Sequence, residues 1–136
     1  MINYENGAKG IFWTCISARG GNYGLRIRVF GSKASLEWVQ NDPNYLRFNP
    51  AKGAVKILEK AFHEADFSSN FARVKPGHPE GYVDAFANIY NEVADRILSK
   101  NKKKNYYYPT AYEGLLTARF IHNCIHSSRN KKWVKF

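Results

Sequence analysis

"GLRIRVFGSKASLEWVQNDPNYLRF", Gly24 to Phe48, decides the fold class. Leu25, Ile27 and Val29 alternate with Arg26, Arg28 and Phe30, the period-2 pattern of a strand with one apolar face. "ASLEWVQ" alternates again, with Leu36 and Trp38 on one side. "NDPN", Asn41 to Asn44, reads as a turn, because Asp, Asn and Pro each favour turn geometry. "YLRF" and "AVKIL" read as two further strands. Short strands joined by tight turns pair most simply as an antiparallel meander.

Upstream, "KGIFWTCISA", Lys9 to Ala18, is β-rich and apolar on both sides, which predicts a strand covered on both faces. Downstream the period changes. After Pro79, apolar residues fall at Tyr82, Phe86, Ile89, Val93 and Ile97, the stripe of a buried helix face. Pro79 suits the first turn of that helix. "KNYYYPT" leads to a second helix, with Thr110 as N-cap and Glu113 completing a capping box. Leu116, Phe120, Ile121 and Cys124 mark its buried side, and "KWVKF" is β-like and can return to the sheet. Strands followed by helices predict an α+β domain: one large, open, mainly antiparallel sheet with helices packed on one face.

The 136 residues fit a single domain, and 44% apolar content argues against disorder. No apolar run approaches the roughly 20 residues of a membrane helix, and the N-terminus lacks a signal-peptide core, so no membrane partner is expected. Cys15 and Cys124 make no disulfide framework and sit in apolar patterns, which points to a reduced, cytoplasmic setting. The net charge of +10 is concentrated in "KNKKKN" and "RNKKWVK". Such runs are usually solvated. The aromatic strand motifs of RNA-binding sheets, zinc-finger spacings and basic-leucine patterns are missing, so nucleic acid is disfavoured as a partner.

No G-x-G-x-x-G, P-loop or G-x-S-x-G motif occurs in the chain. "ARGGNYG" joins strand to strand and lacks the following helix that would hold a phosphate. His122 and His126 share a helix face at metal-chelating spacing, but no third ligand is signalled and Cys124 falls on another face; no resident metal is expected. Glu80, Asp84, Glu92 and Asp95 lie largely off the apolar stripe and read as solvated. His78, between Gly77 and Pro79 at a helix start, is placed to hydrogen-bond a polar ligand or cap the helix. Arg26, Arg28, Glu37 and Arg47 read as a charged sheet surface or a partner interface.

Several blocks, in order, resemble one family. "FGSKASLEW" resembles a strand–turn–strand of the glucose–fructose oxidoreductase / inositol dehydrogenase / MocA oxidoreductases, with Ala34 in place of the usual glycine. "GHPEGYVDAFANIYNEVADRI" resembles their helix-opening motif, "YPTAYEGLLTARFIHNCIHSS" their following helix, and "KWVKF" their last strand. The likeness covers nearly the whole chain and is to the C-terminal domain.

The resemblance implies an open sheet whose free face makes a homo-oligomer, and a substrate site shared with a dinucleotide-binding domain. It places His78 at that site, with Glu80 and Tyr82 as weaker neighbours, and assigns no catalytic residue to the chain. The glycine fingerprint, the Glu-Lys-Pro lysine and the later Asp and His of complete members are absent from these residues. The expectation is therefore a substrate-binding and oligomerisation domain that binds no cofactor itself, lacks dehydrogenase activity alone, and belongs with a parent enzyme using NAD or NADP. A separate nucleotide-binding domain is a second candidate partner. A remnant without activity, or a basic binding module for anionic partners, are the competing readings.

Overall fold

The computed structural model describes residues 1–21, 24–60, 71–75, 77–100 and 105–136. Residues 101–104 of "KNKKKN", Pro76, and Asn22 and Tyr23 of "ARGGNYG" lie outside the described residues. The chain divides into two compact units, Met1–Lys60 and Ala61–Phe136.

The first unit is built from strands. A small hairpin pairs β1 (Ile2–Asn3) with β2 (Lys9–Gly10). The predicted meander follows as β3 (Arg26–Phe30), β4 (Ala34–Val39), β5 (Tyr45–Pro50) and β6 (Lys56–Glu59), antiparallel throughout in the order β3-β4-β5-β6. The alternation read from the sequence sets the register. Ile27 faces Trp38 and Val29 faces Leu36, which in turn faces Phe48. On the other side Arg28 faces Glu37, and Glu37 faces Arg47. Arg26 Nε lies 3.4 Å from Glu37 Oε1. The Asn41–Asn44 turn is braced by Trp38, whose indole Nε1–H donates to the Pro43 carbonyl at 3.0 Å. Ala51 N donates to the Lys33 carbonyl at 2.8 Å and ties the β5 end to the β3–β4 turn.

One predicted strand is corrected. Of Lys9 to Ala18 only Lys9 and Gly10 pair, and residues 11–15 take no strand assignment. The β1–β2 pairing stops at Ile2↔Gly10. The segment is also not covered on both faces: Ile11 is 81% and Trp13 78% exposed. Cys15 is free and exposed rather than buried.

The second unit holds α1 (Tyr82–Leu98) and α2 (Ala111–Asn130). α1 starts three residues after the proline. Gly81 is the N-cap and Asp84 reaches back to accept from its N–H at 3.0 Å, so Pro79 precedes the helix. The apolar stripe of α1 is present, but Tyr82, Phe86, Ile89 and Ile97 are exposed and Val93 is half-buried. The Thr110–Glu113 capping box forms as read: Thr110 Oγ1 accepts from Tyr112 N at 3.2 Å and Glu113 Oε2 accepts from Thr110 N at 2.8 Å. The Thr110 hydroxyl also donates to that carboxylate, and these bonds hold the Glu113 pKa below its ordinary value of 4.5.

The end of the chain differs from expectation. Lys131 adopts the left-handed conformation (φ 50°) and turns the chain back at the C-terminus of α2. Residues 131–136 form no strand. They run along α2 instead: Ser127 Oγ donates to the Lys132 carbonyl at 2.6 Å, Asn123 Nδ2 to that of Lys135 at 3.5 Å, and Phe136 meets Phe120 edge to face at 6.3 Å. The tail therefore selects Leu116, Phe120, Asn123 and Ser127 as the half-buried face of α2. Ile121 and Cys124, expected on that side, are exposed. Among the described residues none is fully buried, and no helix is long and apolar enough to cross a membrane.

Candidate functional site

The polar loop at the start of α1 is organised by side chains that reach across sequence. Arg73 N donates to Glu80 Oε1 at 2.6 Å, closing the loop from 73 to 80. The Arg73 guanidinium Nε donates to Asn88 Oδ1 at 2.9 Å, and Asn88 Nδ2 donates to the Phe71 carbonyl at 2.9 Å. One amide on α1 thus holds both ends of the Phe71–Arg73 segment. One turn further along α1, Glu92 Oε2 accepts from Tyr107 N at 2.9 Å. The Phe71 and Tyr107 rings meet edge to face, centroids 5.9 Å apart. Phe71, Ala85, Asn88, Ile89, Glu92 and Tyr107 line an open groove of about 310 Å³.

His78 sits in the loop that this clasp fixes. Gly77 has φ +84°, a conformation that L side chains rarely adopt. The turn carries the His78 backbone N–H to the Lys75 carbonyl at 3.2 Å, and ring Nδ1 lies 3.2 Å from that same oxygen. A carbonyl only accepts, so this contact selects the tautomer with the proton on Nδ1 and leaves Nε2 as an acceptor. The ring is exposed. In the neutral ring, Nε2 can receive a hydrogen bond from a ligand hydroxyl.

The three residues expected at the site take different roles. His78 presents an uncommitted ring nitrogen. Glu80, expected to neighbour a substrate, uses one carboxylate oxygen to anchor the Arg73 backbone. Tyr82 opens α1, 67% exposed, with its ring tilted against Phe86 at 4.8 Å. The carboxylates read as solvated are mostly employed: Glu80, Asp84 and Glu92 each accept from a backbone N–H. Sequence reading missed Arg73 and Asn88, and took Glu92 as solvated. Their trace is the i, i+4 pair Asn88 and Glu92 at the border of the apolar stripe, where two polar side chains share a face. Among the described residues no cluster of three metal-ligating side chains occurs.

The order of these blocks along the chain finds its match among known proteins. A family profile described as "Oxidoreductase family, C-terminal alpha/beta domain" matches residues 1–136. The chain belongs to the glucose–fructose oxidoreductase / inositol dehydrogenase / MocA family, as its C-terminal domain. An uncharacterized oxidoreductase of Bacillus subtilis, YfiI, is 36% identical over 143 residues, covering all of this chain and 36% of that protein. Among solved structures, an inositol dehydrogenase homolog from Azotobacter vinelandii, complexed with NADH and myo-inositol, is 30% identical. It superposes with a TM-score of 0.83 over 98% of this chain and 37% of that one. An oxidoreductase from Pseudomonas syringae is 32% identical with a TM-score of 0.84, over 95% of this chain and 37% of its own. The chain therefore spans little more than a third of the length of these relatives.

Proposed function

We propose that these residues are the substrate-binding and oligomerisation domain of an NAD-dependent or NADP-dependent oxidoreductase acting on a sugar or polyol. The reading rests on the family match along all 136 residues, together with a relative of the same fold named as binding NADH and myo-inositol. Hydride transfer needs a nicotinamide held against the substrate carbon. No glycine fingerprint occurs in this sequence, so the nucleotide would be held by residues outside it. The part played here is recognition of the hydroxylated substrate. His78 Nε2 would accept from one hydroxyl, on a loop stiffened by the Arg73–Glu80 and Arg73–Asn88 bonds. Glu80 and Tyr82 would shape the flank.

A second copy of the chain would engage a face of the four-stranded sheet. The Arg28–Glu37–Arg47 row alternates in sign and can mate with an identical row turned by a twofold axis. The unpaired cysteines fit a reduced, cytoplasmic setting.

The test joins these residues to the part of the Bacillus subtilis relative that lies outside the match and follows reduced nicotinamide over a panel of sugars and polyols. The chimera is expected to turn over at least one polyol, while the 136-residue chain with NAD or NADP turns over none. Sustained turnover by the chain alone would overturn the reading. So would a chimera that binds NAD yet oxidises nothing in the panel.

A further inference from the structure

α2 carries a pair of groups that polyol recognition does not use. His122 and His126 stand one turn apart, both exposed, with rings nearly parallel (14°) and centroids 6.4 Å apart. They lie away from the face taken by the tail, which runs through Leu116, Phe120, Asn123 and Ser127. We propose that His122 and His126 form a two-imidazole chelate for a single divalent ion of the Cu²⁺, Ni²⁺ or Zn²⁺ class, with water completing its shell.

The geometry sets the limits. Imidazole nitrogen binds these ions at about 2.0–2.1 Å, so a ligating ring has its centroid roughly 3 Å from the metal. Two such rings lie at most roughly 6 Å apart, the arrangement with the ion directly between them. The observed 6.4 Å lies just beyond that limit and the near-parallel rings do not yet converge, so ligation requires both exposed side chains to change rotamer. His126 is braced: Asn130 Nδ2 donates to the His126 carbonyl at 2.9 Å and lies 3.3 Å from ring Nδ1. That brace engages Nδ1 and leaves Nε2 for a metal. When Nε2 ligates, the ring proton moves to Nδ1, and Asn130 meets it by turning its amide oxygen inward, giving up its bond to the His126 carbonyl.

The donor set chooses the metal. Imidazole suits Cu²⁺, Ni²⁺ and Zn²⁺, whereas Mg²⁺ and Ca²⁺ need oxygen ligands. α2 has no carboxylate after Glu113, so nothing on the helix favours the hard ions. Cys124 projects from a different side and is not a third ligand. Arg119 and Arg129, three residues outside the pair on either side, repel a divalent cation; Arg119 lies over the Phe136 ring at 5.5 Å. Binding should therefore hold or strengthen as salt rises, the opposite of non-specific attraction.

The test is calorimetric titration of the purified chain with Cu²⁺, Ni²⁺ and Mg²⁺, beside His122→Ala and His126→Ala. One Cu²⁺ or Ni²⁺ per chain is expected, with no response to Mg²⁺. Either substitution should weaken binding by at least about tenfold, because the second ligand acts at high effective concentration. Asn130→Ala should weaken it less. A readout without any variant is paramagnetic broadening by substoichiometric Cu²⁺, which should strike two of the four histidine ring signals first. Equal affinity in the His122→Ala/His126→Ala double variant, or broadening spread evenly over all four rings, would overturn the proposal.

Discussion

The sheet of the first unit and the helices of the second hold their shape by different means. β3 to β6 are joined by backbone ladders, and side chains decide only which face is which. α1 and α2 come within 8 Å of one another nowhere along their Cα traces. What organises the second unit is a few side chains bonded to distant backbone: Asn88 to Phe71, Glu92 to Tyr107, Ser127 to Lys132. Ladder bonds are redundant and clasp bonds are not. Single substitutions should therefore hurt the second unit more than the first.

The largest effect is expected at Asn88. Asn88→Ala removes two hydrogen bonds at once and leaves the Phe71 carbonyl and the Arg73 guanidinium without them. A loss of about 1–3 kcal/mol is expected in urea unfolding. Hydrogen exchange at residues 71–73 should rise before exchange in β3 to β5. Uniform exchange across both units would erase the contrast.

Thr110→Ala comes next, with about 1 kcal/mol lost from α2 through its N-cap. The same cap gives a pH signature. The folded Glu113 pKa is depressed, first by the Thr110 hydroxyl and then by the Thr110 backbone. Its contribution is thus fully present above the ordinary value of 4.5 and is lost as pH falls through the lower folded value. Helicity of α2 should begin to fray below pH 4.5, and Thr110→Ala should flatten that dependence. Fraying equal in both proteins would remove Glu113 from the cap.

The smallest effect is expected in the sheet. Arg26→Ala breaks an exposed pair with Glu37 and should change unfolding by no more than about 1 kcal/mol, less at high salt. A loss as large as that of Asn88→Ala would mean that the charged row supports the sheet as the clasps support the helices.

Legibility in the sequence follows the same division. The register of β3 to β5 was readable because Ile27, Val29, Leu36 and Trp38 alternate with charges, and a slip by one residue would exchange the faces. The capping box was readable because Thr110 and Glu113 act locally. Lys9 to Ala18 misled because a run apolar on both sides names no neighbour to pair with. "KWVKF" misled because its fate was set by Asn123 and Ser127 on α2, which carry no periodic mark. His78 could be picked out between glycine and proline. The bond from its ring to Lys75, and the Arg73–Asn88 clasp behind it, join residues that no local pattern links.

The proposed division, with these residues recognising a hydroxylated substrate and others holding the nucleotide, meets its test at His78. Its most direct measurement is the steady-state kinetics of His78→Ala in the chimera with the unmatched part of the Bacillus subtilis relative. Loss of one hydrogen bond to a hydroxyl should raise the KM for the polyol by about 2-fold to 10-fold, with the KM for NAD unchanged. A polyol KM that does not move, or a change confined to NAD, would contradict the account.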